Sequence, residues 1–228
     1  SFYRVASPQL DYSTISSSII LDYNSTTMFN STLNGSIMEY LEQMGSTGYS
    51  ATQLLGLSNR TFMNALADVK YYAYYVDENQ EGPKRTLPYG YEEVLRTEAN
   101  GQETVVCENQ YALPLGYTYS SVISEEELEK YDVLQRQEVM MQSAVLNSED
   151  TDGYEEQNSE IESTLQLLDY TVSGQKGITV TDSALVCGQE KGKVRFKFES
   201  LPNSETYLVL KNAVLEGDMS EEPINLTF

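Results

Sequence analysis

Histidine and tryptophan are absent from the 228 residues, and cysteine occurs only twice. Without imidazole, Ser-His-Asp and Cys-His nucleophilic sites are excluded, as are nearly all catalytic zinc sites. Cations are also few: 14 Lys+Arg stand against 35 Asp+Glu, a formal charge of −21. Such a surface repels nucleic acid, whose binding needs cations to displace counterions from phosphate. The same deficit disfavours direct attachment to anionic lipid through a basic patch. No run approaches the roughly 20 apolar residues that cross a bilayer. An initiator Met and a basic-then-apolar leader are missing, and Ile224 to Phe228 reads as a strand cut short, so we expect a part excised from a longer protein.

Cys107 and Cys187 each end an apolar run and lack a C-x-x-C neighbour for metal or redox chemistry. They read as two separate thiols, the alternative being a single structural disulfide. No cofactor is implied by the residues present.

What is present has a globular composition, 40% hydrophobic and 21% charged. Phe2 to Val5 and Ile19 to Tyr23 have strand composition. The hydroxyl- and amide-rich stretch 24–36 reads as loop, and 37–44 as a short amphipathic helix capped by Ser36 and closed by Gly45. A second helix, 60–67, leads into Val69-Lys70-Tyr71-Tyr72-Ala73-Tyr74-Tyr75-Val76, a run bulky on both alternating faces and therefore expected to be a strand covered on both sides. Asn100-Gly101 between two alternating runs predicts a hairpin with a tight turn, and 115–120 a further extended segment. Ser124 with Glu127 predicts a capped helix that continues, with a break, to Val145. From 147 to 163 the chain is nearly all acidic, amide or hydroxyl and reads as a solvated linker. Beyond it, short alternating runs separated by turns predict antiparallel strands of a β-sandwich or jelly roll. The expected fold is α+β: a mixed α/β domain over 1–146, an acidic linker over 147–163, and a sandwich-like domain over 164–228.

Chemical motifs are sparse. Asp150-Thr151-Asp152-Gly153 resembles the start of a calcium loop, but aligning its glycine places Ser148 and Ser159 at ligand positions where carboxylates are needed. Ser173-Gly174-Gln175-Lys176 matches S-x-x-K in letters, yet its glycines predict a turn rather than the helix that Ser–Lys chemistry requires. Triplets N-x-S/T at Asn24, Asn30, Asn34, Asn59 and Asn225 are acceptors only in a glycosylating secretory pathway. For stacking on a ligand, Tyr89, Tyr91, Tyr117 and Tyr119 are better placed than the 71–75 tyrosines, because they flank turns. Together with Asn109 they are the candidate glycan contacts. No catalytic or metal-binding residue is indicated.

Two stretches carry a resemblance. Asn64 to Tyr72 contains Leu66-x-x-Val69-Lys70-Tyr71, and Val106 to Tyr117 contains Glu108-Asn109-x-x-Ala112-Leu113-Pro114. Their order, after Phe2-Tyr3-Arg4-Val5 and a short helix ending in glycine, resembles the YfhO-type bacterial membrane proteins over residues 1–122. The resemblance implies a polytopic protein similar to GT-C glycosyltransferases, with a large extracytoplasmic region before its last span. It implies transfer of a sugar from a polyprenyl-phosphate donor to a cell-envelope polymer, teichoic acid in the best-known case. The catalytic carboxylates of that superfamily lie near the first membrane helices, so none is carried over to this chain. The partners expected are then the protein's own transmembrane region and an envelope glycan or polyprenyl-linked sugar. The alternative is a surface-exposed carbohydrate-binding or adhesion module without catalytic activity.

Overall fold

Asn100 and Gly101 both adopt left-handed backbone, with φ of 52° and 73°, and set Ala99 opposite Gln102. Two consecutive positive φ values make the tight turn whose twist matches the flanking strands, so the Asn-Gly pair does what its sequence predicts. The computed structural model describes residues 2–7, 15–46, 49–76, 87–154, 161–181, 184–188 and 192–210. It divides into two units, Ser1–Leu167 and Leu168–Phe228.

In the first unit the elements run β1 (Arg4–Ala6), α1 (Ser17–Leu21), β2 (Asn24–Ser25), β3 (Thr27–Phe29), α2 (Gly35–Gln43), β4 (Tyr49–Ser50), β5 (Gln53–Leu55) and α3 (Thr61–Leu66). They continue with β6 (Val69–Tyr75), β7 (Tyr91–Ala99), β8 (Gln102–Asn109), β9 (Val122–Ser124), α4 (Glu125–Leu128), α5 (Val133–Gln142) and β10 (Ala144–Leu146). A mixed sheet has the order β2-β1-β6-β8-β7, with β1 parallel to β2 and β6, and the other pairs antiparallel. A three-stranded antiparallel sheet, β3-β5-β4, and a parallel pair, β9 and β10, complete the unit. The main core joins Leu41 of α2 and Met44 just after it, Met63 of α3, and Val69, Tyr72, Tyr91, Val105 and Cys107 of the large sheet. A smaller one holds Ile123, Leu128 and Val139, with Ile161 packed on it from the stretch read as linker.

Register explains how β6 is used. Tyr72 and Tyr74 lie opposite Cys107 and Val105 and face the core, whereas Tyr71, Ala73 and Tyr75 lie opposite Glu108, Val106 and Thr104. Along the second face Tyr71 and Ala73 are half-buried and Tyr75 is exposed, so the expected cover on both sides is corrected: that face is covered only in part. Ile19 to Tyr23 is corrected too. The isoleucines suit a strand, but Ser18 accepts from Tyr23 N and Asp22 turns left-handed, closing a short helix instead.

Helix ends show where the scarce cations go. Asn34, not Ser36, caps α2, its side chain accepting from Ser36 N at 2.9 Å. At the other end Gly45 has φ 61° and two guanidinium groups take the final carbonyls, Arg136 binding Gln43 O and Arg60 binding Met44 O, each at 2.6 Å. Arg4 does the same for α3 through Ala67 O, at 2.6 Å. Cations at helix C-termini complement the dipole while satisfying carbonyls that have no helical partner. The predicted long helix after Ser124 breaks at Asp132, which starts α5 with a capping box to Gln135, and Val145 belongs to β10.

In the second unit, β11 (Tyr170–Lys176) pairs antiparallel with β14 (Lys193–Phe198), and β12 (Ile178–Val180) with β13 (Leu185–Cys187). Both ladders are antiparallel, as the alternation predicts. Ser173 to Lys176 lies in β11 rather than in a turn, so its two side chains still share no helix turn. The run 207–210 lies outside both ladders, and the terminal run 224–228 falls outside the described residues. Cys107 is buried and Cys187 exposed, and no disulfide joins them. With one mixed sheet, antiparallel ladders and separate short helices, the chain is α+β.

Candidate functional site

The two sequence stretches that carry the resemblance meet in space. Asn109, at the end of β8, donates from Nδ2 to the Val69 carbonyl at 3.0 Å, and its Oδ1 accepts from Tyr111 N at 3.0 Å. Leu113 N donates to Ala65 O at 3.2 Å. Tyr91 crosses the same junction: its ring lies edge-on to Tyr72, its hydroxyl accepts from Asn64 Nδ2 at 3.2 Å, and it reaches Val69 O at 3.5 Å. Buried polar groups must be paired to offset desolvation, and here amide and phenol supply the partners. Tyr91 and Asn109 are thus buried where α3, β6, β7 and β8 join.

The other three candidates reach the surface. Tyr89 stacks on Tyr111, with centroids 5.9 Å apart and planes 16° apart, and the hydrogen bond between the two phenols raises the Tyr89 pKa. Gly90, at φ 80°, lets Tyr111 approach: a Cβ there would sit 2.3 Å from the ring. Tyr117 and Tyr119 meet edge to face at 5.4 Å. Tyr117 donates to Leu66 O at 3.4 Å, while Tyr119 donates to Met140 O at the end of α5. Burial first, then the Tyr117 hydroxyl, pushes the Tyr119 phenol well above the usual tyrosine range. Tyr40 joins this group from α2; burial raises its pKa against the lowering effect of Arg60.

Beside Tyr119 lies a cleft of about 200 Å³, walled by Ser120, Ser121, Val122, Ala144, Leu146 and Tyr154. Its lining holds hydroxyl, aromatic and aliphatic groups and no charge. Sequence reasoning missed Tyr111, Tyr40 and Tyr154. Tyr111 follows Asn109 by two residues, a spacing that could have drawn attention, but nothing local marks the other two.

No group of three or more Cys, Asp or Glu among the described residues is arranged to hold a metal ion, including around Asp150 and Asp152. No helix among them is long and apolar enough to cross a membrane.

The chain matches the family described as bacterial membrane protein YfhO over residues 1–227, and it belongs to that family. It is similar to the uncharacterized protein YfhO of Bacillus subtilis (strain 168), with 27% identity over 133 residues. That alignment covers 56% of this chain and 14% of the relative. No solved structure matches the chain.

Proposed function

We propose that this chain is an extracytoplasmic domain of a polytopic membrane protein of glycosyltransferase-like type. In this reading it presents a neutral tyrosine surface to the sugar of a cell-envelope polymer such as teichoic acid. The rest of the protein would carry the reacting groups and take the sugar from a polyprenyl-phosphate donor. The observation that carries the reading is the placement of the cations. All six described Lys and Arg residues of the first unit are engaged: Arg4, Arg60 and Arg136 by helix carbonyls, and Lys70, Arg96 and Lys130 by carboxylates. Recognition of a phosphate would need such groups free to form charge-assisted bonds. Tyr117, Tyr119 and Tyr154 instead offer ring faces and hydroxyls, which suit an uncharged sugar. The membrane-protein family favours this reading over a free-standing binding module.

Charge sets the conditions. A −21 chain and a polyanionic polymer repel one another over about 8 Å at physiological salt. Titration of the chain with glycosylated and sugar-free teichoic acid, followed by NMR or calorimetry, tests the reading. Binding should require the sugar, strengthen as salt rises, and fall at least about tenfold in Tyr154→Ala. Equal binding of both polymers, or none at millimolar glycan, would refute it. Sugar transfer or hydrolysis by the chain alone would refute its assisting role.

A further inference from the structure

The helix α1 buries none of its residues, and it carries Ile19, Ile20 and Leu21 at 76%, 83% and 68% exposure. Met28 and Phe29 at the end of β3 are exposed as well, and Phe29 N is bound to Ser16 Oγ at 3.2 Å, which sets β3 beside the start of α1. An exposed cluster of large aliphatic groups on a water-facing surface is unfavourable unless something covers it.

Charge is also segregated. Residues 15–38 contain one ionised side chain, Asp22, in a chain that is 21% charged. This is a nearly neutral stretch in a strongly acidic chain.

Successive helical residues point about 100° apart, so Ile19, Ile20 and Leu21 spread over more than half of the helix circumference. One flat protein surface covers a stripe, not such a spread. A fluid hydrocarbon phase covers all three. The family is one of membrane proteins, and the aligned part is 14% of its relative, so most of that protein's length lies outside the region matched here.

We infer that α1, with the adjacent end of β3, is a lipid-inserting tip that dips into the headgroup–acyl boundary of the bilayer. Apolar groups on interfacial helices reach about 5–10 Å into this layer. Net negative charge turns the rest of the domain away from anionic headgroups, and the neutral tip is left facing them. The inference rests on membership of a membrane-protein family and not on the sugar reading, which fails or stands by glycan titration.

The test uses the full chain with Cys187→Ser and Ile20→Cys, labelled at position 20 with an environment-sensitive fluorophore and held by a histidine tail on phosphatidylcholine vesicles containing nickel-chelating lipid. Glu98→Cys, in β7 at the opposite edge of the large sheet from β2, is the control position. Emission at position 20 should move to shorter wavelength and be quenched by spin-labelled lipid, with no change at position 98. Adding Ile19→Ser and Leu21→Ser should reduce quenching at 20 to the level at 98. Unchanged emission at 20 on vesicles overturns the inference, and so do equal changes at both positions. A shift without vesicles that grows with protein concentration overturns it in favour of a second copy of the chain.

Discussion

The buried Glu138 carboxylate fastens residues 163 and 164 to α5. Its Oε1 accepts from Thr164 N at 2.8 Å and from the Thr164 hydroxyl, and its Oε2 accepts from Ser163 Oγ at 2.6 Å. Removing it leaves three donors without this acceptor. Glu138→Ala should destabilise the chain by about 2–4 kcal/mol, and Glu138→Gln, which keeps one acceptor, by less. Urea unfolding curves measure both, and equal stability of the alanine variant would show that the contact holds nothing.

Asn109 gives a second test, because it joins the two family-like stretches through Val69 and Tyr111. Asn109→Ala leaves a buried carbonyl and an amide short of partners, at a cost of about 1–3 kcal/mol. The loss should appear as a lower urea midpoint. Glycan affinity of the still-folded fraction should not change, since the side chain is inside.

Alkaline pH should weaken the fold through the tyrosines. Burial raises the folded-state pKa of Tyr119 and Tyr40. The unfolded chain therefore loses these phenolic protons first, and deprotonation favours it. Their contribution is complete below about pH 10 and is lost as pH rises through the raised folded values. Unfolding midpoints measured from pH 8 to 12 should fall above pH 10, and less steeply in Tyr119→Phe. At neutral pH that variant should lose about 1 kcal/mol from its missing bond to Met140 O.

The thiols should react separately. Burial holds the Cys107 pKa up, and nearby Glu93 adds to this, so the thiolate is both scarce and enclosed. A chromogenic disulfide reagent should titrate one thiol, Cys187, in the native chain and a second only in denaturant. Two fast native thiols would contradict the burial of Cys107.

Local chemistry determined what local chemistry can. Asn100-Gly101 needed no distant partner to specify its turn, and Gly45, the helix at 61–66, the Ser124 cap of α4 and the antiparallel character of the second unit followed from spacing and from caps. Composition excluded imidazole chemistry. The tertiary structure decided everything that depends on which residues lie across from one another. Register, not hydrophobicity, put Tyr72 in the core and Tyr75 outside it, although both sit in one tyrosine run. Tyr91 and Asn109 were candidate surface contacts, and they are internal, where Asn64 of α3 donates to the Tyr91 hydroxyl and Val69 offers its carbonyl to both. Ile19 and Ile20 read as strand until Asp22 closed a helix that leaves them bare. The physical reason is common to all of these: a short segment carries its own backbone preferences, but burial and pairing are properties of two segments, and sequence spacing does not say which two will meet.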